Sequence, residues 1–383
     1  MAATSGVVLE ESIDADGLVE ARRHLEAIGS MPASVQSARA KRRVEFYRQY
    51  LLGVDQLYGA AVVSETGIRV RRLRCTYTRV RGGRLQCATQ RGPTRDGDVY
   101  PRNICVQGMP GVLRTYLLRR LVHDLDIENC HVSLMYQLGR GMHEWLEFEG
   151  RMLPLTLRAM RDLYENRAAF IERVADVHGL APDCERVPGY RKDVVKGLLL
   201  RIMYGGSYDS WLEEQGIYSR KAQDVLRLQA ELGHLRDAIL SARRFKHLID
   251  VESMAQHRRN RRDEAVRRGV FSKIAQHLEC EVLLTILESL QAQGFGVESL
   301  IFDGLTVRHA PRPPDLGALS RIVRERTGFD VKIVEKPLYD PAELTDPHIL
   351  WAAIHDRPPS EAEADEMLQL FMNHFEGLDN RLR

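Results

Sequence analysis

The chain has 383 residues, is 44% hydrophobic and 28% charged, and carries a formal net charge of +2. Such a length and apolar content point to a globular protein of two or three packed subdomains, and the near-neutral balance lacks the basic signature, a pI above about 9, of a dedicated nucleic-acid-binding domain. The apolar runs fall short of the ~20 residues a membrane helix needs, so no membrane partner is expected. The six cysteines contain no C-x-x-C pair, which argues against a zinc ribbon or a disulfide framework and for a soluble protein of a reducing compartment.

Residues 1–68 are expected to form an all-helical N-terminal unit, with Leu18, Ala21, Leu25 and Ile28 at helical spacing and a second stretch through Val44, Tyr47, Leu51 and Leu52. From Ile68 to Gln86 Arg and apolar residues alternate about Gly82-Gly83, predicting an Arg-rich two-stranded hairpin at which the sheet begins. An apolar strand follows from Leu121 to Ile127. Asn129 opens a helix that Gly139 and Gly141 should close. Residues 140–268 read as a helical insertion, with a break at Pro182, Pro188 and Gly189 before a helix starting near Arg191. Sheet texture returns at Leu300–Val307, two apolar runs about a tight Asp303-Gly304 turn, and again at Val331–Val334; the tail, 341–383, is helical and charged. Helices, sheet, helices, sheet, helices make an α+β layout in which two distant segments, 69–139 and 269–340, complete one sheet.

The positive charge is carried by Arg, with Lys at only eight positions. The guanidinium fork matches phosphate oxygens in pairs. One basic run comprises Arg69, Arg71, Arg72, Arg74, Arg79, Arg81 and Arg84, and a second comprises Arg258, Arg259, Arg261, Arg262, Arg267 and Arg268. Phosphate contacts and solvated faces are both open for them.

Asp124 and Asp126 are two apart on the predicted strand and therefore share a face. Two same-face carboxylates suit Mg²⁺, which takes one or two protein carboxylates and leaves its other positions to phosphate and water. Asp303, at a hairpin tip, supplies the partner carboxylate, although most Asp-Gly pairs are only turns. Lys196 lies eight residues before Tyr204-Gly205 in a predicted helix, with Leu200 midway. One helix face thus offers an ammonium, an apolar platform and a phenol, a surface suited to a nucleoside triphosphate. A solvated Lys is the plain alternative.

In order along the chain, Thr76-Tyr77-Thr78, Gly83-Arg84-Leu85, Gln107-Gly108-Met109-Pro110 with Arg114, and Asp126-Ile127-Glu128-Asn129-Cys130-His131 resemble the palm motifs of family A DNA polymerases, the bacterial polymerase I type. Lys196 to Tyr204-Gly205 reproduces motif B spacing, Arg191 and Lys192 fall at its upstream basic position, Gln276 resembles the Gln near the primer terminus, and Phe302-Asp303-Gly304 resembles motif C. Residues 76–310 carry the resemblance. The short family A-like polymerases of DNA viruses and transposons are nearest in look. It implies a right-hand fold: a helical thumb-like unit (1–68), palm (69–139 and 269–340), helical fingers (140–268) and a helical tail (341–383).

It also implies a template-directed DNA polymerase without a proofreading domain, acting in the nucleus, the cytoplasm or a replication site of a virus or mobile element. Asp126 and Asp303, with Asp124, would bind two Mg²⁺ ions, for which Mn²⁺ can substitute. Lys196 and Lys192 would meet the dNTP, with Leu200, His131 and Tyr204 around its base and sugar, and Arg84, Arg114, Gln107 and Gln276 on the primer-template. A helicase or primase partner stays open. Three departures mark the chain: motif C lacks its second carboxylate, the position four after Lys196 is Leu200 rather than an aromatic, and the sugar-checking position is His131 rather than Glu. The Asp-Gly wording and Tyr204-Gly205-Gly206-Ser207 are also similar to single-subunit RNA polymerases, so an RNA-synthesising, primase-like enzyme is the alternative. A nucleic-acid-binding protein with a decayed palm is another.

Overall fold

The computed structural model describes residues 6–32, 36–80, 83–87, 104–145, 157–180, 190–257, 262–338 and 348–355, together with 360, 362–363 and 366. Arg81, Gly82, Pro182, Cys184, Pro188, Gly189, Arg258, Arg259, Arg261 and nearly all of the tail lie outside the described residues.

Two antiparallel sheets organise the chain, not the single one expected: the Arg-rich hairpin does not begin the sheet that carries Asp126 but joins a separate one, because its first strand pairs with an N-terminal strand. In the first, β1 (Val7–Asp14) and β2 (Val62–Val63) flank β3 (Arg69–Arg79), and β4 (Leu85–Cys87) pairs with the far end of β3. In the second the order is β6 (Val297–Ile301), β7 (Gly304–Arg308), β5 (Val122–Ile127), β8 (Ile333–Lys336). The 3₁₀ turn Val106–Gly108 lies between the two sheets in sequence. The helices are α1 (Ala15–Gly29), α2 (Ala38–Leu57), α3 (Gly111–Leu118), α4 (Cys130–Trp145), α5 (Arg158–Glu165), α6 (Arg167–Val177), α7 (Tyr190–Met203), α8 (Tyr208–Gln215), α9 (Gln223–Ser241), α10 (Lys246–His257), α11 (Asp263–Ala292), α12 (Leu316–Thr327) and α13 (His348–His355). Every described element between β5 and β6 is helical, so a helical block does interrupt the second sheet, and β5 from one side of it pairs with β7 and β8 from the other.

The N-terminal segment differs from expectation. It opens with a strand, because Leu9, Glu11 and Ile13 alternate inward while β1 pairs along its whole length with β3. The carboxylates of Glu10, Glu11 and Asp14 hid that alternation. Asp14 caps α1 by accepting from the Asp16 and Gly17 amides, and its carboxylate also accepts from Arg120 (2.6 Å). Helix α4 likewise does not stop at Gly139 or Gly141. A Cβ on Gly139 would stand 2.5 Å from a Leu157 methyl and 3.1 Å from one of Leu235, so this glycine serves close helix packing rather than termination.

One hydrophobic core joins α4, α7, α9 and α11 to the inner faces of both sheets, and a second gathers α1, α2, α3 and Trp351 of α13. Helix α11, 30 residues and about 45 Å long by its rise per residue, runs through the first core and carries Glu279 to the candidate site. No helix among the described residues is long and apolar enough to cross a membrane.

The first basic run is largely engaged within the protein. Arg71 binds the Asp55 carboxylate and the Asp55 and Tyr58 carbonyls, Arg69 and Arg72 reach Asp16 and Glu10 at 3.3 and 3.4 Å, and Arg79 donates to Cys280 Sγ. In the second run Arg267 pairs with Asp237 and Arg268 donates to the Gly205 carbonyl.

Candidate active site

The site is built where β5 ends against the β6–β7 hairpin. Asp124 and Asp126 occupy alternate positions of β5 and share its half-buried face; Asp124 is paired with Thr306 and Lys336, Asp126 with Gly304 and Val334. The hairpin turn is Phe302-Asp303, with Gly304 already in β7, so the expected Asp-Gly turn is displaced by one residue. The Asp303 carbonyl accepts from the Ile127 amide (3.2 Å), which sets the turn beside the end of β5.

Phe302 holds φ at +55°, and Asn129, between β5 and α4, at +53°. These are the only non-glycine residues with positive φ among the described residues. Such conformations are costly for residues with a Cβ and persist where the surrounding structure imposes them. Here both lie between or beside Asp126, Asp303 and His131.

Gly304 sits where the two inner strands approach most closely. A Cβ there would lie 2.4 Å from the Leu125 carbonyl oxygen and 3.2 Å from Asp126 Oδ1. No side chain fits between β7 and β5 at this point, and Asp126 lies across the space.

The three carboxylates act on one another. Burial, followed by the charge of Asp303, pushes the Asp126 carboxyl up to about 6, against the pull of Lys336. Asp124 is raised by burial, with Asp303 and Glu335 adding and Arg114 and Lys336 opposing. Lys336 Nζ stands 2.8 Å from Asp126 Oδ2. Lys336 went unnoticed in the sequence, because a Lys ending a short strand has no pattern of its own. The β5–β8 register alone puts it opposite Asp124 and next to Asp126.

A connected network forms a wall of the site. His131, in the first turn of α4, meets the Tyr204 hydroxyl with Nδ1 and stands 2.7 Å from Glu279 with Nε2. Arg84 donates twice to Glu279, each bond 2.5 Å, and its guanidinium lies 4.9 Å from the Phe302 ring centre. Burial works to raise Glu279, but His131 and Arg84 outweigh it and hold the carboxyl below its ordinary value. Burial pushes the Tyr204 phenol up. Helix α7 ends at Met203, and Tyr204 retains one helical bond to the Leu200 carbonyl before Gly205 turns the chain.

The other expected residues fall in different settings. Lys192, Lys196 and Leu200 are exposed on α7, whereas Arg191 is paired with Asp176 and Glu172. Arg114 lies close enough to Asp124 to counter its charge, and its Nε has no hydrogen-bond partner among the described residues. Gln276 is half-buried on α11 and accepts from Lys273 (3.0 Å). Gln107 turns inward: its carboxamide accepts from the Cys87 amide and donates to the Leu85 and Leu300 carbonyls, joining the two sheets.

No family model matches this sequence, and no curated protein matches it. Among solved structures it is similar to the POL domain of Pol1 from M. smegmatis in complex with DNA primer-template and dNTP, with 15% identity and a TM-score of 0.37 over 78% of this chain and 51% of that one. The chain therefore spans about half the length of that structure, and the likeness is weak.

Proposed function

We propose that the chain is a template-directed DNA polymerase that joins the primer 3′-oxygen to the α-phosphorus of a dNTP and releases pyrophosphate. One observation carries this reading: Asp124 and Asp126 on the inner strand β5 and Asp303 in the adjoining β6–β7 turn lie near enough for their charges to act on one another, with the His131–Tyr204 pair nearby. Three mutually repelling, half-buried carboxylates with one partly exposed ammonium are a donor set fit for Mg²⁺, or Mn²⁺ in its place. Asp126 and Asp303 would hold two such ions, with Asp124 behind them. Bound there, the ions would lower the pKa of the primer hydroxyl and neutralise the leaving pyrophosphate.

The chain's own residues then have distinct tasks. Lys196, free to swing on the exposed face of α7, meets the triphosphate. His131, whose Nδ1 meets the Tyr204 hydroxyl, and Tyr204 form the boundary of the sugar pocket. Arg84, clamped by Glu279, holds the motif C turn through Phe302, which makes it a positioning residue rather than a primer-template contact. Arg114 and Gln276 remain the candidate primer-template contacts. A cation and Lys336 compete for the same Asp126 oxygen.

That ion pair also favours a second reading, a nucleic-acid-binding protein whose palm is held in a metal-free state by Lys336. Extension of a labelled primer on DNA and RNA templates, with Mg²⁺ or Mn²⁺ and with dNTPs and NTPs supplied separately, decides between them. Extension with dNTPs that Asp126→Ala and Asp303→Ala each abolish, with primer-template affinity retained, supports the polymerase. Tight binding without extension under every condition supports the second reading, and extension with NTPs alone makes it an RNA-synthesising enzyme.

A further inference from the structure

A second constellation lies apart from the aspartates, within the first sheet. Cys75 of β3, Cys87 of β4, Cys105 just before the 3₁₀ turn, and Glu11 of β1 are 1%, 3%, 1% and 0% exposed. Glu11 and Cys75 lie on the inward face of this sheet, and Cys87 is registered against Tyr77 of β3. One ligand atom from each of Glu11, Cys87 and Cys105 lies within 4.8 Å of the others. Cys75, on the same inward face of β3, is buried beside this group, close enough for its thiol to interact with the charges of Glu11 and Cys105. All three cysteines are free thiols.

The surroundings are suited to concentrated negative charge. Glu11 accepts from the Tyr58 hydroxyl (2.8 Å), the Tyr77 hydroxyl and the Val106 amide (2.8 Å), and the Tyr50 hydroxyl donates to the Cys105 carbonyl (2.7 Å). No cationic side chain pairs with Glu11 among the described residues. A buried carboxylate facing three thiols, with neutral donors and no counter-charge, is an expensive arrangement that a divalent cation would neutralise.

We propose that Cys75, Cys87, Cys105 and Glu11 form a zinc site that is structural and independent of the aspartate site. Three soft sulfur donors and one oxygen donor select a thiophilic, tetrahedral ion over Mg²⁺ or Ca²⁺, and four protein ligands leave no open position for chemistry. The ion displaces the three thiol protons to solvent, so binding strengthens as pH rises. Its structural consequence follows from the chain path. Cys87 and Cys105 bracket residues 88–103, so the ion would fasten both ends of that segment to β1 and β3 and hold the Arg84 hairpin in place. A comparable group, Cys130, His131 and Glu279, lies in the aspartate site, where His131 and Glu279 already contact Tyr204 and Arg84.

The full chain, purified under reducing conditions with any metal-binding tag removed, is assayed for metal by mass spectrometry and then reconstituted with Co²⁺ as a spectroscopic probe. The expected result is about one zinc per chain, and a cobalt form with strong thiolate charge-transfer absorption and the d–d bands of a tetrahedral ion. Cys87→Ser and Cys105→Ser should each lose the stoichiometric zinc, whereas Cys130→Ser should keep it. If the serine variants fail to fold, the wild-type cobalt spectrum still decides. A wild-type protein without zinc that takes up no cobalt after reduction, a cobalt spectrum without thiolate bands, or a native Cys87–Cys105 disulfide would overturn the proposal. Primer extension plays no part in this test, so it can fail while the polymerase reading stands, and the reverse.

Discussion

Glu279→Gln tests the network that positions the candidate site. Gln keeps the shape and removes the charge, leaving Arg84 and His131 facing a neutral group in a place where the Glu279 side chain is 1% exposed. Breaking a fully buried ion pair from one side costs about 3–5 kcal/mol. Arg84 is 23% exposed, so water compensates part of the loss, and about 2–3 kcal/mol is the better expectation. For 383 residues unfolding together, the usual entropy per residue turns that into a drop in Tm of about 2.5–3.7 °C. The pH dependence has a definite sign. Glu279's folded pKa is depressed below 4.5, so its stabilisation is present above that value and is lost as pH falls through the folded pKa. Scanning calorimetry of wild type and variant should therefore show the full gap at neutral pH and a gap that narrows as the pH falls below 4.5. Arg84→Met, alone and with Glu279→Gln, completes a double-mutant cycle in which the double variant loses less than the sum. Melting within about 1 °C of wild type at neutral pH would refute the claim that this network holds the site together.

Gly304→Ala should destabilise the chain by at least about 1–3 kcal/mol in urea unfolding and abolish primer extension, because the new methyl can be placed only by moving β7 off β5; a fully active, equally stable variant would refute the close approach. Lys336→Met should tighten Mn²⁺ binding, read by electron paramagnetic resonance, by about fivefold, the worth of about 1 kcal/mol for a partly exposed pair; weaker binding would show that Lys336 supports the cation rather than competing with it. Lys196→Ala should lower kcat/KM for dNTP by about tenfold to a hundredfold while leaving primer-template Kd unchanged, since a charge-assisted contact is worth about 1.5–3 kcal/mol. His131→Gly should raise the ratio of NTP to dNTP incorporation, a ratio in which the folded fraction cancels; an unchanged ratio would remove His131 from the sugar pocket.

Local chemistry made part of this protein legible without a structure. The two-residue period of a strand is enough to put Asp124 and Asp126 on one face, and the apolar runs about residues 302–304 are enough to predict a hairpin carrying Asp303. The Arg-rich hairpin, the helical block between two sheet segments and the closing strand near residue 333 follow from patterns of a few residues each. Where a local pattern was masked, as by the acidic residues of β1, the expectation of an all-helical N-terminus failed. Partners were decided by tertiary structure, because register, crossing angle and loop closure are set by the whole fold and leave no periodic trace. The β5–β8 register places Lys336 on Asp126, the course of α11 brings Glu279 between His131 and Arg84, and the approach of β7 to β5 excludes a side chain at Gly304. The cysteines make the same point most plainly: residues 75, 87 and 105 show no ligand spacing along the chain, yet the pairing of β1, β3 and β4 buries all three beside Glu11 and sets the ligand atoms of Glu11, Cys87 and Cys105 within 4.8 Å of one another.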